Sequence, residues 1–270
     1  LTVITIAWAY LRDRRRSLLA WTLGVIALVI VMAAFYPSIR DTGADFDAHV
    51  DSLPESVRQT LGISGASIAS PEGYLMSQLY SNLYPLLLLI LGISMASWAI
   101  AGAEGDGTLE MTLAAPLQRI SLGWGRVLAV AVATLSVTLA STAAIALIAS
   151  PLDLLEGLPW WGVWSAAMSM WALVMLYSSA AFAIGAATGR RTWAISGAAG
   201  LVVIGFLGQL FASLAEPLEY LRPTSPWYWF LGSSPLTSIP TLVSFGVPVA
   251  LAISFTAVGI WRFNRRDLGV

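Results

Sequence analysis

The residues of this chain with the most chemical content lie together, between positions 104 and 119. They read Glu104-Gly105-Asp106-Gly107-Thr108-Leu109-Glu110, then Leu113-Ala114-Ala115-Pro116-Leu117-Gln118-Arg119. Their chemistry is recognition rather than bond making. Two glycines break a preceding helix. Thr108 is placed to cap a new short helix, with Glu110 favourable against its N-terminal dipole. Leu109 and Leu113 fall one turn apart on a common face. Pro116 removes a donor and stops the helix, and Arg119 follows it. The expected product is a short, rigid, amphipathic helix suited to insertion into a partner's groove. Glu104 is the residue best placed to pair with an arginine, on this chain or on a partner. An exposed pair contributes only about 0–1 kcal/mol, so its value would be geometric. The plain alternative is a solvated loop, since short loops between spans also carry Gly, Pro and Arg.

The rest of the inventory excludes more than it offers. The chain has no Cys and a single His, His49. That leaves no disulfide framework, no thiol chemistry, no Cys-based zinc site and no His-rich metal centre. All 14 basic residues are Arg. Without Lys there is no G-x-x-x-x-G-K-[ST] loop to hold nucleotide phosphates. A Ser–His pair would need His49, and an aspartyl pair would need Asp within a span. No catalytic residue, metal site or bound cofactor is therefore expected. A net charge of −1 supplies no field for nucleic acid.

Those residues must be positioned by membrane helices. Of 270 residues, 57% are hydrophobic and 11% charged, with a mean hydropathy of +0.77. A water-facing domain carries about 25% charged residues. A helix crosses the hydrocarbon with about 20 apolar residues, and six stretches qualify: 18–36, 83–102, 127–148, 161–187, 193–214 and 242–261. The expectation is a single all-α membrane domain over residues 1–270. The first stretch is too long for a signal-peptide core and has no small-residue cleavage site after it. With the N-terminus inside, eleven arginines fall in inner segments, and only Arg40, Arg58 and Arg222 fall outside. This bias predicts that both termini are cytoplasmic. Ten of the fifteen acids fall outside. Trp160, Trp161, Trp193, Trp227, Trp229 and Trp261 sit near span ends, as an aromatic belt would place them.

Between spans, residues 1–16 read as an interfacial helix, with Ile4, Trp8, Leu11 and Arg15 on one stripe. The first outer loop, Pro37–Asn82, is too long to be structureless. Within it, Asp51–Gly62 reads as a capped helix, and His49 reads as a solvated side chain. The last outer loop, Ala215–Thr241, is split by prolines around Pro226-Trp227-Tyr228-Trp229-Phe230. Short helices dipping into the outer leaflet are expected there, serving as an anchor or as a gate.

A carrier driven by protons or ions generally holds charged groups inside the membrane. The six stretches hold no Asp, Glu, Arg or His. Gln209 in span five and Asn82 at the head of span two are the strongest polar candidates for a pathway. Thr134, Ser136, Thr138, Ser141 and Thr142 could line a polar track or bond their own backbone. Small-residue pairs at Ser165/Ser169, Gly185/Gly189 and Ser196/Gly200 would let helices approach closely. The pathway reads as apolar, which suits amphiphilic or lipid-like cargo.

The run Glu104-x-x-Gly107-Thr108-Leu109-Glu110, with Leu113-Ala114-x-Pro116-x-x-Arg119 between spans two and three, resembles the coupling segment of type-2 ABC transporter permeases. The likeness extends over most of the chain: amphipathic first helix, large first outer loop, six spans, broken segment before the last span, and basic tail Arg262–Leu268. The resemblance implies a permease subunit in a bacterial plasma membrane, paired with a second permease as a homodimer or with a paralogue. It also implies two ATP-binding-cassette ATPase subunits carrying ATP and Mg. Gly107 to Pro116 would dock on the ATPase, and 226–230 would close the outer exit. Export of a hydrophobic drug, antibiotic or lipid-like molecule is the family tendency. A non-transporting structural or assembly subunit is the other reading, although it would not need the capped inner helix.

Overall fold

The computed structural model describes residues 2–41, 70–114, 117–214, 220 and 222–267, and every regular element among them is helical. Helix α1 (Val3–Asp13) is capped by Thr2, whose hydroxyl accepts from the Thr5 amide at 3.3 Å. Six helices are long and apolar enough to cross a membrane: α2 (Arg15–Asp41), α3 (Pro71–Gly105), α5 (Arg119–Leu152), α6 (Gly162–Thr188), α7 (Arg191–Leu214) and α9 (Leu242–Arg265). Two short helices complete the set, α4 (Thr108–Leu113) and α8 (Pro226–Leu231).

All six expected spans are present, but most are longer than the apolar runs. Hydropathy marks where hydrocarbon ends, whereas backbone hydrogen bonding continues through the interface. The largest difference is in α3. It begins at Pro71 rather than near Leu83, because Ser70 accepts from the Gly73 amide at 3.1 Å and Pro71 occupies the first turn. Asn82 therefore lies inside α3 and not at its head. Its backbone (φ −122°, ψ −111°) breaks the helical run within a π-wound stretch, Leu75–Leu83, and its amide donates to the Ser77 carbonyl. Such a bulge is a recognised cause of a kink. The expected helix at 51–62 and His49 lie outside the described residues.

Helix α6 is the centre of the bundle, packed most widely on α9 and α3 and also on α7 and α5. Its approach to α9 is very close at Gly259, where a Cβ would come within 2.8 Å of the Ala183 Cα. In lipid, contacts of this kind stand in for the hydrophobic effect. Helix α2 lies mainly on α5, and α1 crosses α5 through Ile6 at Gly125. On α1, Ile6, Ala7 and Tyr10 face the bundle, while Ile4 and Trp8 are exposed, so the expected stripe is the outward one.

One packing expectation changes. On α7 the inward edge is Ala194 and Ala198, while Ser196 is exposed and no atom lies within 4 Å of a Cβ placed at Gly200. Thr134, Ser136, Thr138, Ser141 and Thr142 each donate to a carbonyl one turn back on α5, at 2.8 Å. That accounts for their hydroxyls locally. Trp160, Trp193 and Trp261 are exposed near span ends, but Trp227 is buried against Phe206.

Candidate functional site

Gly107 sets the geometry of the 104–119 run. Its φ of +68° ends α3 and starts α4 in a single left-handed step. The Asp106 and Gly107 amides bond back to the Gly102 and Glu104 carbonyls, each at 3.0 Å. Thr108 does not cap α4. Its hydroxyl donates to the Ala103 carbonyl at 3.1 Å and so ties α4 to the end of α3. Leu109 and Leu113 do share a face, but it is the inner one. Leu109 is 0% exposed within the core, and Leu113 packs partly against it. The apolar residue that α4 turns outward is Met111, 71% exposed, beside exposed Glu110. A six-residue helix shows too little periodicity for its faces to be read; the turn at Gly107 decides them. Pro116 lies outside the described residues.

Both flanks of this run are held by one residue of the C-terminal basic segment. The Arg266 guanidinium pairs with the Glu104 carboxylate. The Arg266 backbone carbonyl accepts from Arg119 Nη1 at 2.9 Å. The same Arg119 nitrogen reaches the Phe263 carbonyl at 3.4 Å, and its guanidinium stands 5.7 Å from the Phe263 ring centre. Gly189, which closes α6 at φ +68°, completes the joint, since a Cβ there would run into the Arg266 guanidinium. Arg119 thus caps open carbonyls at the end of α9, while Arg266 reaches across to α3. The ends of α3, α5, α6 and α9 converge at this point, with α4 suspended between Glu104 and Arg119.

A second set of contacts joins α1 to the same region. Tyr10 donates to the Met95 carbonyl at 2.7 Å and packs 5.9 Å from Trp98. The Arg14 guanidinium lies 3.8 Å from the centre of the Trp98 ring, and Trp98 Nε1 donates to Asp106 at 3.1 Å. Burial pushes the Tyr10 phenol up to about 12, with Arg14, Arg126 and Arg191 acting in the opposite sense. Arg126, one of the eleven arginines counted to the inner segments, is only 6% exposed and donates to the Ala99 carbonyl. Sequence reasoning missed Tyr10, Trp98 and Arg266 as partners. Their signals were present as an aromatic on an amphipathic helix and as a basic tail, but those patterns carry no pairing information.

The other end of the bundle is built differently. Ser225 donates to the Gly205 carbonyl at 2.8 Å. Gly205 lies nine residues before the end of α7 at Leu214, about 13 Å at 1.5 Å per residue. The chain therefore turns back along α7 before α8 begins. Of the five aromatic-segment residues singled out, Trp227 and Phe230 are buried in the bundle, with Phe230 6.5 Å from Tyr80. Pro226 and Trp229 line a cavity, and Tyr228 lies 5.0 Å under the Arg222 guanidinium. Gln209, on α7, has an amide oxygen with no partner among the described residues. Asn82 and Gln209 are not joined to the 104–119 run.

Compared with known families, the sequence matches the ABC-2 family transporter protein over residues 4–268. No curated protein matches it.

Proposed function

The chain belongs to the ABC-2 transporter family and is thus a permease subunit of an ABC transporter; from that premise we propose that it is the membrane half of an ATP-driven exporter. It works as a dimer with a second permease copy or paralogue, in a bacterial plasma membrane, with both termini inside. Two ATPase subunits bind the nucleotide and Mg, and α4 is the element they grip. The observation that carries this reading is the suspension of α4. It is a short helix with an exposed apolar residue, Met111, held from both sides by Glu104 and Arg119 through Arg266. Closure of the ATPases on ATP displaces α4, and the joined helix ends follow. The energy comes from the different ATP affinities of the two states. The aromatic segment 226–230 serves as the outer closure. The cargo is apolar or amphiphilic, since the spans offer it no interior charge outside the arginine-rich end.

Met111→Asp tests the docking assignment, with the ATPase co-expressed and the permease purified by its own tag. We expect co-purified ATPase and ATP-dependent transport to fall at least about tenfold, a loss of about 1.4 kcal/mol in association, while the permease keeps its thermal midpoint. Unchanged recovery of the ATPase with unchanged transport would refute α4 as the grip; a native chain that itself recovers no ATPase and supports no transport would instead favour the non-transporting assembly subunit.

A further inference from the structure

A cavity of about 510 Å³ lies between α6, α7, α8 and α9, on the α8 side of the bundle. That is within the range of sites that take drug-sized molecules. Its walls are almost wholly apolar: Ala180 on α6, Gly208 and Phe211 on α7, Trp229 on α8, and Leu251 and Phe255 on α9. Phe211, Leu251 and Phe255 on its wall are exposed, and α7 and α9 do not pack broadly on one another. The cavity therefore opens sideways, between α7 and α9, where hydrocarbon lies in a membrane. It is remote from the Glu104–Arg266 joint.

Two polar groups beside this cavity are unexplained by the fold. Tyr177 lines it and is 4% exposed, yet among the described residues its hydroxyl has no hydrogen-bond partner. The Trp227 Nε1 is likewise buried and without a partner among the described residues. Both rings meet at Gly205, where a Cβ would lie 2.5 Å from the Tyr177 hydroxyl and 3.4 Å from Trp227 Cδ1. Buried donors are seldom left unmet in folded proteins. An indole N–H can only donate, and a phenol can donate. What the pair lacks is an acceptor oxygen.

We propose that this cavity is a lateral binding site for an apolar molecule that enters from the bilayer and carries a hydrogen-bond acceptor oxygen, such as an ester or ketone. The apolar body fills the space between α7 and α9. The oxygen is taken up by the Tyr177 hydroxyl on the cavity wall, which gives the site a preference that plain hydrocarbon solvation lacks. Such a molecule is of the class argued above for the cargo, but binding is a property of this chain alone. Its failure leaves the docking of α4 untouched, and failure of α4 docking leaves this site untouched.

The test uses the full chain in nanodiscs and a methyl palmitate bearing a diazirine in its chain. Irradiation should give saturable labelling that maps to 205–212 and to the facing residues of α6 and α9. Unlabelled methyl palmitate should compete about fivefold better than hexadecane, the margin of one neutral hydrogen bond. Tyr177→Phe should shrink that margin while leaving the fold intact. Gly208→Leu should abolish the saturable labelling. A Cβ at Gly208 meets nothing within 4 Å, so the side chain can enter the cavity without displacing backbone, and Gly208→Ala should give a graded, smaller loss. Non-saturable labelling spread over all lipid-facing helices, or equal competition by ester and hydrocarbon, or labelling unchanged in both Gly208 variants, would overturn the proposal.

Discussion

The two ends of this bundle differ in where their polar groups are met. At the arginine-rich end, side chains close on one another across helices: Glu104 with Arg266, Arg119 with the carbonyls of 263 and 266, Trp98 with Asp106, Tyr10 with Met95. At the α8 end, an apolar cavity adjoins donors that nothing among the described residues meets, Tyr177 and Trp227, and Ser225 spans the gap to α7 with a single bond. Cross-bracing at one end keeps helix ends in fixed relation, which suits transmission of movement. Open space and unmet donors at the other suit contact with a changing occupant. The same chain thus spends its few polar residues on rigidity in one place and on recognition in another.

The comparison predicts where polar and apolar substitutions hurt. The largest effect is expected from Leu109→Asp, which puts a charge into a fully buried site at the braced end. The cost is about 4 kcal/mol, read as a fall of about 10 °C in the thermal midpoint. A midpoint as high as that of Met111→Asp would mean that α4 is not held as described. Next is the pH response of Tyr10. Its folded-state value, about 12, stands above the unfolded value of 10.0, so its contribution is complete below pH 10 and is lost as pH rises through 12. The amount is about 2–3 kcal/mol. Tyr10→Phe should remove this component of alkaline unfolding; a variant with the same alkaline profile would show that Tyr10 is not the group responsible.

Smaller again is the Glu104–Arg266 pair, whose side chains are about one quarter exposed or less. Glu104→Gln and Arg266→Gln should each cost about 2 kcal/mol, and the double variant no more than either alone. Strict additivity in the cycle would break the joint into unrelated contacts. The smallest change, and the one of opposite sign, is at the α8 end. Tyr177→Phe removes a buried hydroxyl that has no partner among the described residues, so stability should be unchanged or rise by up to about 1 kcal/mol in the absence of added ligand. A clear loss there would erase the contrast between the ends.

The architecture was legible because it rests on long apolar runs, and 20 or so residues of one character leave little room for error. The break at Gly107 was legible for a related reason: glycine beside an acidic run, followed by a threonine and an apolar stripe, has few other uses. Less was readable where local pattern underdetermines geometry. The start of α3 at Pro71 sits in polar sequence that hydropathy treats as loop, and only the Ser70–Gly73 bond marks it. The inward turn of Leu109 depends on one positive φ. Arg266 looked like one more inner positive charge. Its meeting with Glu104 is a contact over 162 positions, and no periodicity within either segment encodes it.

The joint at Arg266 has a mechanical consequence. Helices that share no joint can slide past one another, and a push on one is then dissipated in its neighbours' side chains. Here three long rods, α3, α5 and α9, are pinned together at one vertex through Glu104, Arg119 and Arg266, and α4 hangs between two of them. Such a truss has few independent motions: a displacement of α4 rotates the three rods together. The third rod, α9, is the one packed most widely on the central helix α6. A displacement of α4 would thus reach α6, at the centre of the bundle, through both α3 and α9.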